Sequence, residues 1–495
     1  MHASPPTHHH SKSMNKNIII AGFLGVVALS AIGQNTATKT WIPFVNGAPV
    51  PGVAGNSTQA FCESGNAARA ITAPTIYECR YVQRVEPPAS APAPAPAPAA
   101  SAPAPAPAPT GSWVTGQSTA AEPTTARPAK GLAAPDPSYK TLVYRVTDAS
   151  EPPTGMRVND YSRRQAFSAG NKYQLVVALD GSWHIYDAIT FAYVKRLPGL
   201  SGDAEPQWHP TNPDLMYYLP TNGVGMRILE LNVTTGATRT IGDLGTRLKA
   251  KWPGAAAAWT RSEGSPSADG RYWCLQVDNA SWGGVGVVTW DRDTDTILGY
   301  YNSSERPDHV SMSPSGRYCV VSSTGALGTV SFTRDFTSSR KLSATSEHSD
   351  IALMPNGEDM FVSVSYQSDA GDVYMHNLDT GERTVLFPSY LSGSSRAFHF
   401  SAKSFSKPGY VLISAYADAG GMKWMDRKIT LVELKANPVV RNVAWHRSKY
   451  PSSEGYYHES HASISRDGTR VAFSSNWGGA TLGDLHAYQA LLFPY

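Results

Sequence analysis

His461–Trp477 reads HASISRDGTRVAFSSNW. A short polar strand enters a tight turn at Ser465-Arg466-Asp467-Gly468 and leaves as the apolar strand that carries Val471 and Phe473. Turn residues between two short alternating runs are the mark of a β-hairpin. The same hairpin recurs upstream, with SPSG or MPNG in the turn, and a second turn of the form NxxTG follows at Asn232–Gly236 and Asn377–Gly381. Gly170, Asp214, Gly270, Gly316, Gly357, Gly409 and Gly468 anchor the first turns, spaced by 44, 56, 46, 41, 52 and 59 residues. Each interval suits one four-stranded blade. No long amphipathic helix interrupts the series beyond Lys140.

The fold class expected is therefore all-β: a seven-bladed β-propeller over 140–495. The last repeat supplies only three strands. Lys140–Val146 (KTLVYRV) is a spare strand ahead of blade one. It is expected to pair as the missing outer strand and close the ring, removing a free edge.

The rest of the chain divides by composition. Ile18–Ile32 is a 15-residue apolar run behind the basic start Met14-Asn15-Lys16-Asn17. It is too short for the ~20 residues of a membrane span. Residues 1–33 are expected to be an upstream extension and an export signal cleaved before Gln34. The alternative is an uncleaved anchor. No Cys follows the apolar run, so no lipoprotein is expected. Residues 34–86 form a small module in which export makes a Cys62–Cys79 disulfide the expectation. Residues 87–139 are a linker that opens on the Pro/Ala run of 87–109, a polyproline-II spacer. Residues 110–138 are polar, Pro-rich and expected to be poorly ordered. Cys274 and Cys319 fall in the second strands of neighbouring blades. They are expected to be buried free thiols, because stacked sheets lie ~10 Å apart and a disulfide needs closer Cα atoms.

Charge excludes some partners. The chain has 42 Lys+Arg against 39 Asp+Glu and no basic run, so no nucleic-acid partner is expected. Only 16% of residues are charged, while Gly, Tyr and Trp are plentiful. This mix suits a secreted or periplasmic bacterial β-protein. It is expected to be a monomer with no stable membrane span after signal cleavage.

The first strand of each blade lines the axis, and its beginning faces one mouth of the channel. Seven residues before the turn anchors stand Arg163, Gln207, Glu263, His309, Asp350 and His461, with His399 as the counterpart in blade six. Two residues earlier, on the same strand face, stand Tyr161, Glu205, Arg261, Pro307, His348, Ala397 and Glu459. His209 is among those two residues later. Channels of propellers are often polar without chemistry, yet four histidines in these rings are more than solvation needs. His309, His348, His399 and His461, with Glu459 or Asp350, form a candidate divalent-metal site. Imidazole suits zinc, manganese or nickel, and carboxylates suit calcium or manganese. His458 joins them only if it sits in the loop, because on a strand it would face away from His461. Gln207, Glu205, Glu263 and His209 are candidate substrate contacts. No G-x-S-x-G elbow, Walker loop or GxGxxG fingerprint is evident.

Pro206-Gln207-Trp208-His209-Pro210 and the His461–Trp477 hairpin resemble TolB-type blades. They also resemble those of propeller polysaccharide lyases of the oligogalacturonate and ulvan lyase type. The resemblance covers Lys140 onwards and implies a metal held by several His and a Gln from late blades. His399 and His461 occupy similar places, while His458 and Ser463 stand where that pattern has Gln and His. It implies β-elimination on a uronate-containing polysaccharide. Arg163, Arg261 or the metal would neutralise the carboxylate, His309 or His348 would be the base, and Tyr161 the acid. One alternative is a non-catalytic propeller on a stalk, binding a cell-surface glycan or a protein. Another is a glycoside hydrolase, which needs two carboxylates such as Glu205 and Glu263.

Overall fold

The repeated hairpin is built by one hydroxyl. At the end of the first strand a Ser oxygen accepts the backbone N–H five residues on: Ser168 from Tyr173 (2.9 Å), Ser267 from Tyr272 (2.9 Å), Ser313 from Tyr318 (3.1 Å) and Ser465 from Arg470 (2.9 Å). The second recurring turn is held by an Asx side chain. Asn232 Oδ1 accepts from Thr234 and Thr235 N–H, each at 3.0 Å, and Asn377 Oδ1 accepts from Asp379 and Thr380. Such local bonds fix turns at a constant offset from the strands. Gly316 shows why glycine anchors the first turn. Its φ is +75°, and a Cβ there would run into the Tyr272 ring of the preceding blade.

The computed structural model describes residues 109–151, 157–261, 263–366, 371–389, 397–416, 422–450 and 455–495, together with the strand paths of 40–45, 48–49 and 77–82. The chain separates into two compact units, 1–102 and 103–495. In the first, Thr40–Val45 pairs antiparallel with Ala48–Pro49 and with Tyr77–Val82. The export signal, the Cys62–Cys79 pairing and the Pro/Ala run up to residue 108 lie outside the described residues. Among the described residues, no helix is long and apolar enough to cross a membrane.

The second unit is a seven-bladed β-propeller. Six antiparallel sheets of four strands follow one another in chain order from Arg157 to Trp445. The seventh takes Ser463–Ile464, Arg470–Ser475 and His486–Leu491 from the C-terminus, then Leu142–Arg145 from before blade one, as expected. Ala133–Pro135 adds a fifth strand to that blade. Apolar side chains fill the spaces between blades, with one buried cluster for each adjacent pair. The core is therefore a ring of seven wedges, each shared by two sheets.

Two expectations are corrected. Residues 109–139 pack along the propeller. Trp113 Nε1 donates to Pro494 O (3.1 Å), Asn442 N–H to Val114 O (3.0 Å), Lys428 Nζ to Ser118 O (2.9 Å) and Trp477 Nε1 to Thr125 O (3.1 Å). Low hydropathy hid this segment, which is anchored by hydrogen bonds and a few aromatics. Cys274 and Cys319 form a disulfide, with Cα atoms 5.6 Å apart. The ~10 Å spacing holds for sheets stacked face to face. Blades radiate from an axis, and their second strands lie near it, where the wedge is thin.

Candidate metal centre at the channel mouth

Blades six and seven bring three donor atoms together. His399 sits in the inner strand Ala397–Ser401, and Glu459 and His461 lie on the segment that leads into Ser463–Ile464. Glu459 Oε2 lies 2.7 Å from His399 Nε2 and 3.2 Å from His461 Nε2. One donor atom from each residue lies within 4.8 Å of the others. The two imidazoles hold the Glu459 carboxyl down at about 2 despite its burial. Burial, with His461 beside it, pushes His399 well below the usual imidazole value.

Aromatic rings wall this group. His399 stacks on Tyr416 (4.5 Å between centroids) and on His348 (4.7 Å), and meets His461 edge to face at 4.4 Å. Tyr161 lies 5.3 Å from His399 and 5.2 Å from His461, and Tyr456 lies 5.0 Å from His461. Burial raises the phenols of Tyr161 and Tyr416 well above their ordinary value. His348 Nδ1 stands 2.9 Å from Phe398 O and 3.1 Å from Tyr416 Oη. A carbonyl only accepts, so Nδ1 carries the proton and Nε2 presents a lone pair.

The residues fit a divalent cation. Without one, each Nε2 needs a proton to meet Glu459, and His399 Nδ1 then has no hydrogen-bond partner among the described residues. An ionised carboxylate and a hard-to-protonate imidazole suit a cation in place of those protons. Two nitrogens and an oxygen are a donor set for manganese or zinc.

A second group lies across the mouth in blades one, three and four. The inner strands of blades one and three end early, at Val158 and Trp259, and the chain turns at 161–164 and just beyond Trp259. These turns present Arg163 and Glu263. Arg163 Nη1 donates to His309 Nε2 and pairs with Glu263 (3.4 Å), and its Nη2 reaches Ser349 Oγ (3.3 Å). Since guanidinium only donates, the His309 proton is on Nδ1, facing Asp308 Oδ2 at 3.4 Å. That proton helps to keep the Asp308 carboxyl below its usual range against its burial. Arg261 donates to Pro307 O, and burial, then Arg306, lowers its pKa.

Several anticipated residues sit elsewhere. His458 is buried in the 3₁₀ turn Gly455–His458, outside the three-residue group. Asp350 is taken up by Lys403 Nζ (2.8 Å) and the Ala402 N–H (2.7 Å), so it is not among the donors either. Glu205 Oε2 accepts from Thr260 N (3.0 Å) and Oγ1 (2.8 Å), and Gln207 Nε2 donates to Gly264 O (3.0 Å). Both brace the turn that carries Arg261 and Glu263. His209 Nδ1 accepts from Thr211 and Asn212 N–H, and the ring lines a small cavity with Lys403 and Arg466 near the hairpin-turn end. The rings of first-strand residues missed Tyr416, which comes from a second strand, and Tyr456, which comes from a loop. Asp308 escaped notice because it precedes a ring position by one residue.

No family model matches the chain, and no curated protein matches it. Among solved structures, it is similar to an oligogalacturonate lyase from Vibrio parahaemolyticus, with TM-score 0.53 and 14% identity over 73% of this chain and 98% of that one. It is also similar to a structure described as oligogalacturonate lyase in complex with manganese, with TM-score 0.52 and 16% identity over 74% and 98%. At this identity the likeness is one of fold.

Proposed function

We propose that this chain is an exported, metal-assisted polysaccharide lyase that cleaves a uronate-containing polysaccharide. The observation that carries the reading is the buried junction of His399 and His461 on one oxygen of Glu459. Likeness to propellers named as oligogalacturonate lyases, one of them a manganese complex, supports it. The Cys274–Cys319 bridge supports export, since disulfides persist in oxidising compartments.

His399, Glu459 and His461 would hold the cation. Bound there, a divalent ion supplies positive charge that draws electron density from the uronate carboxylate and acidifies the C5 hydrogen. Arg163 adds a buried cation across the mouth, oriented by His309 and Ser349. His348 Nε2, the bare nitrogen of a ring that burial keeps neutral, takes the C5 proton. The electron pair forms the C4–C5 double bond and expels the 4-oxygen, which takes a proton from the Tyr161 phenol. Because Arg163 occupies His309 Nε2, His309 serves to position that guanidinium. A glycoside hydrolase would need two available carboxylates, and Thr260 already engages Glu205.

The test is ultraviolet absorbance of the unsaturated uronate when the full chain meets a panel of acidic polysaccharides with manganese. His348→Ala is expected to lose at least ~100-fold in kcat while keeping its metal, the scale of a general base. Ala at both His399 and His461 is expected to lose metal and activity together. No absorbance on any substrate, with no metal by elemental analysis, would replace the lyase with a glycan-binding propeller.

A further inference from the structure

A turn in blade three holds a tryptophan in a backbone conformation that few bulky residues adopt. Trp282 lies between the second strand, Tyr272–Asn279, and the third, Gly284–Asp291, with φ +62°. Left-handed backbone crowds a Cβ, so a large side chain there is an outlier. Asn279 makes the turn, its Oδ1 accepting the N–H groups of Ser281 and Gly283 at 2.9 Å each. None of these bonds requires an indole, and glycine would take the same φ without strain. Kept strain of this kind points to use.

Trp282 is 39% exposed, yet it is supported from behind. The Arg306 guanidinium stands 5.7 Å from the rings of both Trp282 and Trp259, and those rings are 5.7 Å apart. Buried Asp278 locks the stack, since its Oδ2 accepts Trp259 Nε1 (2.8 Å) and Arg306 Nη2 (3.1 Å). Arg306 Nε also approaches both Asp278 oxygens, at 3.3 Å each. The turn belongs to the end of the blade where inner strands begin, which is the end of the metal centre.

We infer that Trp282 is a stacking platform for a pyranose ring and marks an outer subsite for an acidic polysaccharide, with Arg306 facing a sugar carboxylate. The inference rests on the lyase reading for its ligand class. A rigid indole with one face open offers the apolar face of a sugar a large contact at little entropic cost, and Arg suits a carboxylate.

The experiment titrates oligogalacturonides and oligomannuronates into the metal-loaded full chain by calorimetry. W282G relieves the left-handed strain, so it is expected to melt no lower than wild type and to keep its manganese. Its affinity is expected to fall about tenfold, the scale of one aromatic contact. W282F, which keeps a ring, is expected to bind close to wild type. Equal affinity of wild type and W282G overturns the platform and leaves the lyase reading intact. Failure of the wild type to bind any acidic glycan overturns the lyase reading itself.

Discussion

Histidines outside the channel set how the fold answers to acid. His184 is buried between Ser182 Oγ (2.8 Å) and Tyr193 Oη (3.2 Å), and His486 beside Thr147 Oγ1 (3.1 Å). Burial lowers each of them from the ordinary imidazole value of about 6.5 to about 4. A depressed folded value means the native state prefers the neutral ring. The preference is fully present above the unfolded value and is lost as pH falls from there through about 4. Each ring contributes at most about 3 kcal/mol. Denaturant midpoints are expected to fall over that window, and to fall less steeply in His184→Gln and His486→Gln. Parallel slopes in all three proteins would disprove it. Sequence alone revealed less of this. His399, Glu459 and His461 could be found by counting back from hairpin turns, because strand period and blade repeat both constrain them. The use of Asp350 by Lys403, of Glu205 by Thr260 and of His348 by Tyr416 depends on side chains from other strands and blades. No spacing along one chain encodes those meetings.

At the scale of the element, the blades were legible because each turn carries its own hydrogen-bond signature, as at Ser313 and Asn377. The irregularities were not. In six blades the pairing of third and fourth strands shifts by a residue, as between Thr289 and Trp290 or Ile429 and Thr430. A bulge raises local twist and leaves no mark on a period-two pattern. The broken inner strands of blades one and three mattered more, since their turns push Arg163 and Glu263 to the mouth. The Cys274–Cys319 bridge ties blades three and four across a separation of 45 residues. A loop of that length is worth about 4 kcal/mol in the chain-entropy limit. Ser at both positions is expected to lower unfolding free energy in urea by about 2–4 kcal/mol. An unchanged midpoint would mean that the apolar cluster around Val287, Val310 and Val321 already holds those blades together unaided.

At the scale of the molecule, stability depends on how the ring is shut. Leu142–Arg145 pairs with His486–Leu491, and Val146 N–H continues the ladder to Ala487 O (2.9 Å). Ahead of it, Asp136 Oδ2 accepts the Trp445 N–H (3.1 Å), Ser138 Oγ accepts Trp445 Nε1 (3.0 Å), and the Tyr139 ring stacks on Trp445 at 5.8 Å. The segment before the closing strand thus fastens blade seven to blade six, a contact the repeat alone did not suggest. Three truncations separate these contributions. A chain that begins at Pro103, where the second unit begins, is expected to show the propeller transition at the full-length temperature, since it keeps every strand of the propeller and the fastening segment. One that begins at Lys140 keeps the closing strand, loses the Asp136 and Tyr139 contacts, and is expected to melt several degrees lower. One that begins at Val146 leaves the edge of His486–Leu491 unpaired, and an open apolar edge invites pairing between chains. It is expected to lose its cooperative transition and to associate in light scattering. If it melts like the Lys140 chain, the strand from the front of the sequence does not close the ring. The buried contacts between blades would then be sufficient, each wedge holding its neighbours without a seam.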